Sequence, residues 1–191
     1  EIADYAGRKA EVAAITEAAM RGEITDYNES LRRRVALLAG LPESTLERVW
    51  NERVRLSPGV ESLMAGLQAA GLRTLLVSGG FTFFTERLRA RLGLDVARAN
   101  LLEVADGRLT GRLLGPIVNA DTKQRIVEQT CAVFGCTPAE TIVVGDGAND
   151  LKMMSIAGLS VAYRAKPIVR DGTHHAIEHA GLDAILNLFD D

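Results

Sequence analysis

Through the first 55 residues the apolar positions recur with a helical period. AEVAAITEAAMRGE is alanine-rich and amphipathic, and NESLRRRVALLAG sets Leu31, Val35 and Leu38 against a basic face before Gly40, which reads as a helix C-cap. PESTLERVWNERV opens with Pro42 in a helix-start position, and Ser57-Pro58-Gly59 then breaks the pattern. That break predicts a boundary between a small helical domain, residues 1–55, and a second region, residues 56–191. In the second region the rhythm alternates. A helix over Val60 to Ala70 feeds a strand at Arg73 to Val77, and a helix follows at Phe83 to Leu92. Asp106-Gly107 sits between alternating residues as a hairpin signal. Then come a helix at Thr122 to Phe134, a strand at Thr141 to Val144, a helix at Asp150 to Ala157 and a strand at Leu159 to Ala162. A last strand at His175 to Ile177 and a helix at Leu182 to Leu188 close the series. Strands alternating with helices predict an α/β fold with a doubly wound parallel sheet.

Composition narrows the function classes. At 191 residues, 47% hydrophobic and 25% charged, the chain has the make-up of an ordinary globular protein with room for a real core. A net charge of −3 gives no support to a nucleic-acid partner. No apolar run approaches the roughly 20 residues of a membrane helix. EIADYAGRKAEV lacks the basic start and apolar stretch of a signal peptide, so a cytoplasmic location is expected. Cys131 and Cys136, without CxxC spacing, read as reduced thiols with no metal role.

The candidate chemistry gathers at strand ends. In TIVVGDGAND, Thr141 to Asp150, a buried β-branched run ends in two carboxylates on a glycine-rich turn. Ligands in open α/β sheets sit at the carboxyl ends of strands. Asp146 and Asp150 crowded there repel each other and lose solvation, so they need a cation, protons or a basic partner, and a divalent metal is the economical choice. Ser78-Gly79-Gly80, directly after TLLV, offers a hydroxyl and bare backbone amides ahead of a helix, either an anion cradle or a tight strand-to-helix turn. Lys123 opens a helix after the polar loop NADT and, taken by itself, is a solvated charge. His174, His175 and His179 lie away from these motifs and read as surface or structural residues, and Phe81, Phe83 and Phe84 as packing.

Taken together, LLVSGGF, NADTKQRI and VVGDGANDLKMM resemble, in order and spacing, motifs two, three and four of the haloacid dehalogenase-like phosphohydrolases. EIADYAGRKAEVAAITEAAMRGEI, SLRRRVALLAGL and AGLSVAYRAKP extend the likeness over essentially the whole chain to the members of that family that act on phosphoserine. The resemblance implies a Rossmann-like core under a small helical cap. It also implies a Mg²⁺-assisted phosphoryl transfer through an aspartyl-phosphate, which converts the small molecule O-phosphoserine to serine and phosphate as the last step of serine synthesis. Asp146 would ligate Mg²⁺ directly, and Asp150 would hold a metal-bound water or orient its neighbours. Ser78 and the Gly79 amide would bind the phosphoryl oxygens, Lys123 would offset charge on phosphate and nucleophile, and Asn149 would donate a hydrogen bond to the same group. Arg34, which alone would pass with Arg32 and Arg33 for a solvated helix face, takes the place of the arginine that pairs with the substrate carboxylate. Met20 and Tyr27 match apolar cap positions over the substrate. A monomer or homodimer without nucleic-acid or membrane partners is expected.

The chain departs from the family at one point. The first motif, D-x-D-x-[TS], which carries the nucleophilic and the acid/base aspartates, does not occur in it. The expectation is therefore an N-terminally truncated piece whose residues 56–191 lack the first, central strand of the core. A relative acting on another small phosphorylated amino acid, and a catalytically silent phosphate- or metal-binding module, are the alternative readings.

Overall fold

A computed structural model describes residues 1–21 and 23–189; the side chain of Met20, one of the residues implied in substrate binding, lies outside what it describes. In chain order the elements are α1 (Ile2–Tyr5), α2 (Lys9–Met20), α3 (Tyr27–Ala36), α4 (Ser44–Arg53), α5 (Val60–Ala69), β1 (Leu75–Phe81), α6 (Thr82–Leu92), β2 (Val96–Ala105) and β3 (Arg108–Leu114). They continue with α7 (Ala120–Phe134), β4 (Ile142–Gly145), α8 (Leu151–Met154), β5 (Leu159–Tyr163), α9 (Pro167–Arg170) and β6 (His175–Ile177), and end in a 3₁₀ helix over Leu182–Phe189. The chain forms two compact units: Glu1–Arg55 with Gly79–Phe84 and Ala99–Ile117, and Leu56–Ser78 with Thr85–Arg98 and Val118–Asp191.

In the first unit the stripe of Leu31, Val35 and Leu38 is buried as its spacing predicts, against Leu46 and Val49 of α4 and Leu102 and Leu109 of the β2–β3 hairpin. Phe81, Phe83 and Phe84 pack on the same cluster. The hairpin turns where expected, with Asp106 (φ 51°) and Gly107 (φ 70°) both left-handed, the geometry that a two-residue loop needs to follow the strand twist. Gly40 is not the C-cap of α3. That helix stops at Ala36 with Leu37 as its cap, and the Gly40 N–H instead donates to the Leu109 carbonyl at 2.8 Å, which ties the helical segment to the hairpin. Pro42 likewise does not start α4 but forms an isolated bridge with Arg108.

The second unit is built on parallel strands. β5 pairs in parallel with β4 and with β6, and Val161, at the centre of that sheet, is fully buried. Val127 and Cys131 of α7 pack on Val143, Met153, Met154, Ala162 and Val169. The α/β, Rossmann-like class follows, with the described strands in two sheets, ordered β1-β2-β3 and β4-β5-β6. β1 and β4, which carry the glycine-rich and acidic motifs, are both end strands in that order.

Two expected boundaries shift. Ser78-Gly79-Gly80 belongs to strand β1, which pairs with β2 and runs on to Phe81 before α6 begins, rather than to a turn. The helix expected over Asp150 to Ala157 is a 3₁₀ turn at Ala148–Asp150 followed by α8, which stops at Met154. Beyond it the chain passes under Ala139 so closely that a Cβ on Gly158 would lie 1.9 Å from the Ala139 carbonyl oxygen.

Candidate active site

Four buried or half-buried groups converge where β4 ends. α7 begins with Asn119 as N-cap, its side chain accepting the Thr122 N–H at 3.0 Å, and this places Lys123 on the inward face of the first turn. From there Lys123 Nζ reaches Asp150 Oδ1 at 2.6 Å, and both residues are about 95% buried. The second oxygen of Asp150 accepts the backbone N–H groups of Asp146, at 3.2 Å, and Gly147, at 3.1 Å. A carboxylate taken out of water needs such partners, and Asp150 has an ammonium and two amides. Of the three ways to relieve two crowded acids, Asp150 has taken the basic partner.

Asp146 differs. Its side chain is exposed and makes no hydrogen bond or ion pair with the described residues, while its backbone is fixed by Asp150 and its carbonyl accepts the Lys166 N–H at 3.4 Å. A hard, charged oxygen donor held on a fixed backbone suits a divalent cation such as Mg²⁺. No group of three or more His, Cys, Asp or Glu that could hold a metal ion occurs among the described residues. Gly145 is required by space, since a Cβ there would stand 2.7 Å from Asp150 Cβ, whereas one on Gly147 would meet only the end of the Asn149 side chain, 2.5 Å from Oδ1.

Ser78 lies half-buried in β1. Gly79, Arg34, Met20 and Tyr27 belong to the first unit. There Tyr27 packs on the apolar core, and half-buried Arg34 donates through Nε to the Ser30 carbonyl at 3.3 Å, its terminal nitrogens making no bond to the described residues. Its neighbour Arg33 is spent on an exposed pair with Glu29 at 2.7 Å. The histidines are structural where they are ordered into bonds: His174 Nδ1 accepts the Ser160 N–H at 3.0 Å and lies 2.8 Å from its hydroxyl, joining β5 to the segment before β6. The cysteines are free, and burial pushes the Cys131 thiol up to about 11, which leaves it unreactive at neutral pH.

Asn100, which no sequence motif marks, is 1% exposed and donates to the carbonyls of Gly79 and Gly80. Its signal was present as a polar residue set in the apolar run of β2, since an amide is buried there only if it is bonded.

Known proteins similar to this chain define its family. The family model described as haloacid dehalogenase-like hydrolase matches residues 2–155. The phosphoserine phosphatase of Polaromonas sp. (strain JS666) is 56% identical over 192 residues, which cover 98% of this chain and 81% of the relative. Among solved structures, a probable phosphoserine phosphatase from Vibrio cholerae in unliganded form superposes with TM-score 0.90 at 45% identity, covering 97% of this chain and 57% of that one. A phospho-aspartyl intermediate analogue of phosphoserine phosphatase superposes with TM-score 0.89 at 38% identity, covering 98% and 88%. The chain belongs to the haloacid dehalogenase-like hydrolase family, among its phosphoserine phosphatases. No helix among the described residues is long and apolar enough to cross a membrane.

Proposed function

We propose that this chain supplies the metal-binding, phosphate-binding and substrate-selecting residues of a phosphatase that hydrolyses O-phosphoserine to serine and phosphate through an aspartyl-phosphate. The observation that carries the reading is the buried Lys123–Asp150 pair, whose carboxylate also holds the Asp146-Gly147 backbone at the end of β4. An ammonium has three donors, and one is committed to Asp150. The others serve the phosphoryl group, so Lys123 lowers the charge that a carboxylate nucleophile meets on approaching a phosphate dianion. Ser78 and the Gly79 N–H bind the phosphoryl oxygens, and Asn149 donates to the same group. Asp146 holds Mg²⁺, with Asp150 keeping the Asp146 backbone and Lys123 in place; the ion, when bound, supplies electrostatic relief of the transferring phosphoryl oxygens. Arg34 pairs with the serine carboxylate, which suits a guanidinium with its terminal nitrogens unspent on described neighbours. The nucleophilic aspartate is not among these 191 residues, which contain no D-x-D-x-[TS].

The test is phosphate release from O-phosphoserine by protein carrying the D-x-D-x-[TS] segment, titrated with magnesium. Asp146→Asn should lower turnover by about a hundredfold or more and move the half-saturating magnesium concentration upward. Magnesium-independent turnover, or an Asp146→Asn variant with an unchanged magnesium curve, would contradict the assignment. Phosphothreonine turned over in preference to phosphoserine would move the substrate to another phosphorylated hydroxy-amino acid.

A further inference from the structure

α7 ends at Phe134, and Gly135 beyond it takes a left-handed conformation, φ 75°. The Gly135 N–H donates to the Ala132 carbonyl at 3.4 Å, and the Cys136 N–H donates to the Cys131 carbonyl at 3.0 Å. These two bonds form a Schellman stop, which folds the residue after the glycine back over the last helical turn, against the residue five positions earlier. Here both of those positions are cysteines. Cys131 is 4% exposed in the cluster that includes Val143 and Met154, and half-buried Cys136 packs on the same cluster. Neither is in a disulfide, and the two thiols share a hydrogen bond. A disulfide forms only between side chains that already point at each other, as these do. The phosphoryl chemistry proposed above uses neither sulfur.

We propose that Cys131 and Cys136 are a reversible oxidation site, where a peroxide converts the two thiols to an intramolecular disulfide and so spares Cys136 from irreversible oxidation. Cys136 is the point of entry, because Cys131 is closed to solvent. The Cys136 thiolate attacks one oxygen of hydrogen peroxide and the O–O bond breaks. The hydroxide that leaves takes up the proton the thiol released, and Cys136 becomes a sulfenic acid. The Cys131 sulfur then attacks the Cys136 sulfur, the S–O bond breaks, and the hydroxyl departs as water with the Cys131 proton. Two thiols and one peroxide thus give one disulfide and two waters; each sulfur is oxidised by one electron and the two peroxide oxygens are reduced. Burial keeps the Cys131 thiol protonated and inert toward oxidants from outside. Toward a sulfenic acid already in contact its small ionised fraction suffices, since the attack needs no encounter. A sulfenic acid without such a partner goes on to sulfinic acid, which thiols do not reverse.

The test treats the protein, freed of reductant, with hydrogen peroxide, then adds N-ethylmaleimide and weighs the tryptic peptide of residues 126–152, which holds both cysteines. The wild-type peptide should lose the mass of two hydrogen atoms, take up no N-ethylmaleimide, and return to its starting mass with dithiothreitol. In Cys131→Ala the same treatment should add two or three oxygen atoms at Cys136. In Cys136→Ser it should leave Cys131 a free thiol. A wild-type peptide that keeps its mass, gains oxygen at Cys136 or becomes linked to a second chain overturns the proposal, as does oxidation of Cys131 in Cys136→Ser. If Cys131→Ala does not fold, the wild type and Cys136→Ser decide.

Discussion

Lys123 and Asp150 illustrate how one buried contact differs from the many ion pairs on the surface. The exposed Arg33–Glu29 pair is an i,i+4 contact worth about 0.3–0.5 kcal/mol. Removing one partner of a buried pair leaves an uncompensated charge, at a cost of about 3–5 kcal/mol. Lys123→Ala should therefore lower the unfolding free energy by about that amount in urea titrations, while Arg33→Ala changes it by less than about 0.5 kcal/mol. Equal effects would mean that the pair is wetter than the structure places it. Arg34 belongs to a different balance, since its proposed partner is the substrate. Arg34→Ala should cost phosphoserine roughly ten- to a hundredfold in kcat/KM, the loss of a charge-assisted pair of about 1.5–3 kcal/mol. A phosphomonoester without a carboxylate should be nearly unaffected. Equal losses on both substrates would make the arginine structural.

At the scale of elements, the chain is held where strands begin and end. Asp95, just before β2, accepts the Thr74 N–H at 2.8 Å and hydroxyl at 3.0 Å, and pairs with Arg73 at 3.0 Å. Burial by itself would raise its pKa, but the Thr74 hydrogen bonds and the Arg73 charge hold the carboxyl below the usual range. A depressed folded pKa means that this stabilisation is present above the unfolded value, about 4, and is lost as the pH falls through the lower folded value. Asp95→Asn should lower stability near neutrality and flatten its decline below about pH 4. Parallel wild-type and variant profiles would show that the contact contributes nothing. Gly145→Ala tests the other strand end: its Cβ would press on Asp150 Cβ at 2.7 Å, so the Lys123–Asp150 bond must shift and turnover should fall more than stability does.

Much of this level was legible in the sequence, because the period of apolar residues decides it. The α3 stripe, the Asp106-Gly107 hairpin, β4, β5 and β6 all stand where the pattern placed them, to within a residue or so. What was not legible depends on partners distant in the chain. Gly40 gave up its capping role to bond Leu109, Ser78-Gly79-Gly80 joined a strand because β2 lies alongside, and Gly158, beyond the end of α8, is needed where the chain meets Ala139. Within the site, the residue types were readable from motif and spacing. The engagement of Asp150 by Lys123 and two amides, and the hydrogen bonds of Asn100, needed the three-dimensional contacts.

At the scale of the whole molecule, the chain covers 81% of the Polaromonas relative and contains no D-x-D-x-[TS], while retaining the three later motifs. The proposed chemistry thus divides into a carboxylate that attacks phosphorus, which these residues do not include, and the surroundings that make attack possible, which they do. The most direct measurement compares phosphate release from O-phosphoserine, in magnesium, by the 191-residue chain and by the same chain joined to a segment bearing D-x-D-x-[TS]. The account predicts no release above background from the first and magnesium-dependent release, abolished by replacing the first aspartate of the motif with asparagine, from the second. Sustained turnover by the chain alone, or a joined protein that folds and binds magnesium yet releases nothing, would contradict it.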